Sequence, residues 1–228
     1  MARLARVVVP GLPHHVTQRG NGRARTFFGD EDYALYRDLL ASHCRAAEVE
    51  IWAWCLMPNH VHLLLVPRDS DGLRAALGEA HRRYTRHVNL REGWRGYLWQ
   101  GRFASSPMDE AYLLACARYV ELNPVRARLA RRARDWRWSS ARAHLAGADD
   151  ELVRVRPLLA LAPDWPDFLA EGLSEADHEA IRAGERTGRP LGSARFVARL
   201  EKRLDRPLAR QKPGPKPKVE RLMRRDKV

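Results

Sequence analysis

"LMPNHVHLLLV", residues 56–66, sets two histidines one residue apart inside an apolar run. Side chains alternate along a strand, so His60, His62 and Leu64 share one face while Val61, Leu63 and Leu65 share the other. The preceding run, "VEIWAWCLM" (49–57), is rich in strand formers and apolar on both faces, as in a strand covered from each side. Pro58-Asn59 between the two runs reads as a hairpin turn.

Working outward, "HHVTQRGNG" (14–22) is a short strand entering a glycine turn. Tyr33, Tyr36, Leu39, Leu40 and Cys44 recur at helical spacing behind the cap candidate Asp30. Leu73, Leu77, Ala80, Tyr84 and Val88 mark a second helix. "GYLWQGRFASSPM" (96–108) holds one more strand, and Asp109 caps a helix running towards Asn123, where Pro124 opposes its continuation. Strand, helix, strand, strand, helix, strand is the split βαβ order. The expectation is an α+β, ferredoxin-like antiparallel sheet with helices on one face, plus a helical and basic C-terminal extension. The expected division is a main domain over 1–146, a linker over 147–173 and an extension over 174–228, with a flexible tail over 207–228.

Two same-face imidazoles can share a divalent cation if both are neutral, or they can be hydrogen-bonded strand histidines. On the helix of residues 109–123, Tyr119 and Asn123 are one turn apart on one side, with Tyr112 and Cys116 near them. Leu113, Leu114, Ala117 and Val120 point elsewhere. Either a polar tyrosine face or a boundary tyrosine fits that pattern.

Charge narrows the partner. The 228 residues carry 41 Lys plus Arg against 28 Asp plus Glu, a net charge of +13. From Arg199 to Val228 there are twelve Lys/Arg and four Asp/Glu, a basic arm suited to a polyanion. Arg19, Arg118, Arg126, Arg128, Arg131 and Arg132 are candidate phosphate contacts. Cys44, Cys55 and Cys116 form no Cys-x-x-Cys pair and read as core thiols. No apolar stretch has the roughly 20 residues of a membrane span, and Pro10 and Pro13 interrupt the N-terminal apolar run. A cytoplasmic protein with no membrane partner is expected.

"MPNHVHLLL", followed about fifty residues later by "RYVELNPVRA", resembles the single-tyrosine HUH transposases of the insertion-sequence-200-like family, most of all the REP-associated tyrosine transposases. "HHVTQRGN" and "DWRWSS" are similar to the same group, and the likeness covers about residues 8–146. The resemblance implies a ferredoxin-like fold, Tyr119 as nucleophile in preference to Tyr112, and His60, His62 and Asn123 as ligands of Mg²⁺ or Mn²⁺. Relatives often carry glutamine at the position of Asn123. The implied activity is cleavage and rejoining of single-stranded DNA, at hairpin or palindromic repeats, through a 5′-phosphotyrosine, by a monomer or homodimer. Two other readings remain open: a non-catalytic palindrome-binding protein, and a metallohydrolase using His-x-His with water.

Overall fold

The computed structural model describes residues 5–209. Its centre is a four-stranded sheet of β1 (His14–Arg19), β2 (Val49–Met57), β3 (His60–Pro67) and β4 (Ala104–Pro107), in the order β2-β3-β1-β4 with every pairing antiparallel. The helices α1 (Asp30–Ala46) and α2 (Gly72–Glu92) connect the strands as a ferredoxin-like fold requires. The hairpin turn at Pro58-Asn59 joins β2 to β3 as expected.

Register decides which side chains meet. Opposite residues of an antiparallel pair share a face, and β1 pairs with β3 through Thr17↔His62 and Arg19↔His60. One face therefore carries Val16, Leu56, Val61, Leu63 and Leu65. It packs on α1 and α2 through Tyr36, Leu40, Leu73, Leu77, Ala80, Tyr84 and Val88, all fully buried. The heptad-like spacing of those helix residues in the sequence is what brings them to one side. Asp30 is the first residue of α1 rather than its cap. Its carboxylate accepts from Trp138 Nε1 at 3.1 Å, and Gly29 takes the cap position.

The opposite face carries His15, Thr17, Arg19, His60, His62 and Leu64, with Ala53, Cys55 and Met57 of β2 alongside. The helix α3 (Glu110–Glu121) covers its apolar part through Leu113, Cys116, Ala117 and Val120. Asp109 caps α3, accepting from the Tyr112 amide at 3.2 Å. Pro124 has no N–H to continue the α3 hydrogen-bond ladder, and only a short turn follows, α4 (Asn123–Arg126). Beyond it lie α5 (Ala141–Ala146), α6 (Arg156–Leu159), α7 (Trp165–Ala170), α8 (Glu175–Thr187) and α9 (Ala194–Leu204).

The stretch 147–173, expected as a linker, is anchored to the body of the protein. Leu158, Trp165, Phe168 and Leu169 are buried in the second core with α3, since side chains so apolar gain more from burial than a tether gains in freedom. A buried carboxylate fastens this layer: Glu121 accepts from Ser140 Oγ at 2.5 Å and Trp165 Nε1 at 2.8 Å, and lies 2.7 Å from His144 Nδ1. The helices expected near 174–186 and 193–205 are α8 and α9. Gly184 lets α8 approach closely, for a Cβ there would stand 2.9 Å from Leu191 Cδ1. The flexible tail expected over 207–228 lies, from residue 210, outside the described residues. The three cysteines are free and buried. Among the described residues no helix is long and apolar enough to cross a membrane.

Candidate active site

The polar half of the second sheet face gathers the chemistry. His60 and His62 project to the same side of β3, with ring centroids 4.9 Å apart and planes near perpendicular. Tyr119, on the sheet-facing side of α3, sets its ring 5.4 Å from His62 in an edge contact. It is only 5% exposed. The Arg126 guanidinium lies 4.1 Å above that ring and donates to the Tyr119 carbonyl at 2.9 Å, a cation–π contact made possible by the short α4 turn.

His15 also belongs to the cluster. It stands diagonal to His62 across the β1–β3 pairing, stacked at 5.3 Å with planes 10° apart, and its Nε2 is 3.0 Å from His62 Nδ1. Glu185 of α8 completes it, with Oε1 3.6 Å from His62 Nδ1 and 4.0 Å from His15 Nε2. His178, also on α8, places its ring 5.5 Å from Tyr119. Arg182 is within hydrogen-bonding reach of the phenol oxygen.

Burial keeps the imidazoles of His15, His60 and His62 and the Tyr119 phenol uncharged at neutral pH. Burial, aided by Arg19 and Arg126, lowers His60 to about 4. Burial alone lowers His15 to about 3, and it takes His62 well below the usual imidazole range, with the neighbouring imidazoles adding to the effect. Neutral imidazole is the ligating form. Burial raises Tyr119 to about 12, with Glu185 adding to the shift and Arg126 and Arg182 opposing it. Burial raises Glu185 to about 6. His15, His62 and Glu185 offer ligand atoms within 4.8 Å of one another. Two imidazole nitrogens and a carboxylate oxygen form a donor set of the kind divalent cations accept, and Glu185 Oε1 is buried without a hydrogen-bond partner. The residues present therefore fit a cation.

The other expected residues are distributed unevenly. Asn123 is buried where α4 begins, one turn beyond Tyr119. His60 Nδ1 lies 2.6 Å from Asn59 Oδ1. Arg19 lines an open cleft of about 570 Å³ with His60, His62, Gln100, Arg102 and Glu185. Arg118, expected to face phosphate, is instead committed to the fold: it donates to the Phe168 carbonyl at 2.7 Å, stacks on the Phe168 ring and pairs with Glu171. Arg128, Arg131 and Arg132 are exposed beyond α4, Arg132 pairing with Asp135 at 3.4 Å. Trp138 is core, stacked 5.0 Å from Tyr33. His15 and Glu185 had no motif of their own. Period-two alternation in "HHVTQRG" does place His15 with Arg19 on one face, but Glu185 carries no sequence signal at all.

The split-βαβ sheet thus carries a histidine pair on an inner strand beside the tyrosine of α3. The model of the family described as "Transposase IS200 like" matches residues 9–123, half the chain, and the protein belongs to that family. The REP-associated tyrosine transposase of Escherichia coli (strain K12) is 22% identical over 109 residues, which cover 47% of this chain and 64% of that protein. The solved structure of a REP-associated tyrosine transposase bound to a REP hairpin superposes with a TM-score of 0.56 at 21% identity, covering 68% of this chain and 93% of that one. That likeness establishes the fold.

Proposed function

We propose that this chain is a metal-dependent transposase that cleaves and rejoins single-stranded DNA through a 5′-phosphotyrosine on Tyr119. The observation that carries the reading is the Tyr119 ring 5.4 Å from His62, with Arg126 over its face. In this reading His60 and His62, with Asn123 as the third candidate, hold Mg²⁺ or Mn²⁺. When bound, a divalent cation polarises the scissile phosphate.

The chain's own residues do the rest. Tyr119 attacks the phosphorus in line, the phosphodiester breaks on its 3′ side, and a 3′-hydroxyl leaves. A phenol near 12 is a weak nucleophile at neutral pH. Arg126 and Arg182 favour its phenolate, opposing burial. The covalent product is still a phosphodiester, so a second 3′-hydroxyl can attack it and rejoin strands without ATP. Burial of Tyr119 keeps water from that ester. Arg19 at the cleft, and Arg128, Arg131 and Arg132 beyond α4, track the phosphates of a strand that must be single to bend into the site. The structural relative's REP hairpin supports a hairpin or palindromic substrate for this chain as well. Residues 174–228 assist DNA binding, the working form is a monomer or homodimer, and the location is cytoplasmic.

The test incubates the full chain with hairpin-tailed single-stranded DNA and Mn²⁺, followed by denaturing gel. The expected outcome is an SDS-resistant adduct that Tyr119→Phe lacks and Tyr112→Phe retains. Binding of the hairpin with no adduct from the unaltered chain would establish the second reading, a non-catalytic palindrome-binding protein.

A further inference from the structure

Each member of the histidine pair has a partner at the same ring nitrogen. His60 Nδ1 lies 2.6 Å from Asn59 Oδ1, and His62 Nδ1 lies 3.0 Å from His15 Nε2. A neutral imidazole carries one proton, so the nitrogen that donates cannot ligate and the other one can. Which nitrogen keeps the proton therefore decides how the pair can meet a cation.

For His60 the hydrogen bonds around Asn59 give the answer. Asn59 Nδ2 donates to the Arg23 carbonyl at 2.9 Å, so the amide oxygen, which can only accept, is the atom facing His60. Turning the amide over would set its oxygen against that carbonyl, acceptor against acceptor. His60 Nδ1 must then hold the proton, and Nε2 keeps its lone pair. The backbone around the amide is tied down as well. The Asn59 carbonyl accepts from the Gly20 amide at 2.8 Å, and the Pro58 carbonyl accepts from the Thr26 amide at 2.9 Å. Arg23, whose carbonyl receives the amide, holds a left-handed conformation with φ 63°. A residue with a Cβ keeps that conformation only where its surroundings impose it.

His62 repeats the pattern. Its Nδ1 is occupied by His15, which leaves Nε2 as the nitrogen open to a cation, and His15 Nε2 is then the acceptor. Burial holds His15 and His60 uncharged at neutral pH, so neither brings a second proton that would upset this order. We propose that Asn59 and His15 are positioning residues: they keep the protons of His60 and His62 on Nδ1, so that both rings offer Nε2 to one divalent cation. The proposal rests on the metal-dependent reading above and adds the residues that select its ligand atoms. A neutral imidazole in water prefers its proton on Nε2, the form unable to ligate through that atom. Partners that orient a ligating histidine in this way raise metal affinity without touching the metal.

The full-length chain with isotope-labelled histidine, free of metal and DNA, is studied at neutral pH by nitrogen NMR, which separates protonated from unprotonated ring nitrogens. His60→Gln and His62→Gln identify the signals of the two rings. The unaltered chain shows Nδ1 protonated and Nε2 unprotonated in both. Asn59→Ala moves the His60 proton to Nε2 and weakens Mn²⁺ binding, measured by calorimetry, by roughly 10- to 100-fold. His15→Phe does the same to His62. Asn59→Asp keeps an acceptor for His60 but loses the donor to the Arg23 carbonyl; it retains the Nδ1 proton and the Mn²⁺ affinity, which separates proton placement from support of the turn. A proton on either Nε2 in the unaltered chain overturns the proposal, as does an Asn59→Ala chain whose His60 proton stays on Nδ1. Loss of affinity in Asn59→Asp equal to that in Asn59→Ala makes Asn59 a turn residue only and overturns it too. If the unaltered chain binds Mn²⁺ with a proton on either Nε2, this inference alone falls. If its protons are as expected but it takes up no Mn²⁺, the metal-dependent reading falls and this inference with it.

Discussion

The two faces of one sheet contrast sharply. Beneath α1 and α2, Val16, Leu56, Val61, Leu63 and Leu65 meet an apolar helix pair, and every side chain is excluded from water. Across the same strands, one residue out of register, stand His15, Arg19, His60 and His62. The second face is only partly apolar, and α8 borders its polar part through Glu185. The first face contributes stability. The second exchanges some of it for buried groups that are chemically reactive, a division typical of functional sites.

The largest expected effect tests the second face. Tyr119→Phe should reduce the rate of covalent adduct formation by a factor on the order of 10³ or more, while the unfolding free energy falls by only about 1 kcal/mol, the net worth of a hydroxyl's hydrogen bond. A large loss of stability in that variant would place Tyr119 with the structural residues and break the contrast. Next comes Glu121→Ala, on the same side but distant in purpose. Its carboxylate gathers Ser140, His144 and Trp165 in a dry interior. Removing it should destabilise by about 3–5 kcal/mol, as for other broken buried ion networks, measured by denaturant unfolding. Leu63→Ala on the first face should remove about 2–5 kcal/mol through the cavity it leaves, with adduct formation unchanged under stabilising conditions.

A smaller effect concerns pH. His81, on the α2 side, is lowered to about 3, chiefly by burial, and its Nε2 lies 2.8 Å from the Tyr36 hydroxyl. Its folded value is depressed, so its contribution to stability is present above the ordinary imidazole value of 6.5 and is lost as pH falls towards 3. Denaturation midpoints measured from pH 7 to 4 should fall less steeply in His81→Gln than in the unaltered chain. Identical slopes would show that the first face titrates no differently from an unfolded chain.

Much of this architecture was legible from residue order. The alternation in "HVHLLLV" set both histidines on one face, and β3 has that geometry. The helical spacing of Leu73 to Val88 marked a core helix, and all five of its apolar positions are buried. Tyr119 and Asn123 were visible as one turn of one helix side. Where the segment 147–173 attaches was not legible, because its apolar residues, Leu158, Trp165 and Phe168, follow no period, and their partners on α3 lie far away in sequence. The contacts of Arg118 were hidden for a similar reason: its acceptors, the Phe168 carbonyl and Glu171, are some fifty positions downstream.

Local pattern by itself determined the strands, the two core helices, the shared face of His60 and His62, and the strongly basic character of the chain. These follow from periodicities of two and 3.6, which act over a few neighbouring residues. Only tertiary structure decided that His15 leans on His62 across a strand pairing and that Glu185, more than one hundred residues further on, closes the cluster. Strand register and helix docking are set by the total burial of distant surfaces, and no short stretch of chain carries that information.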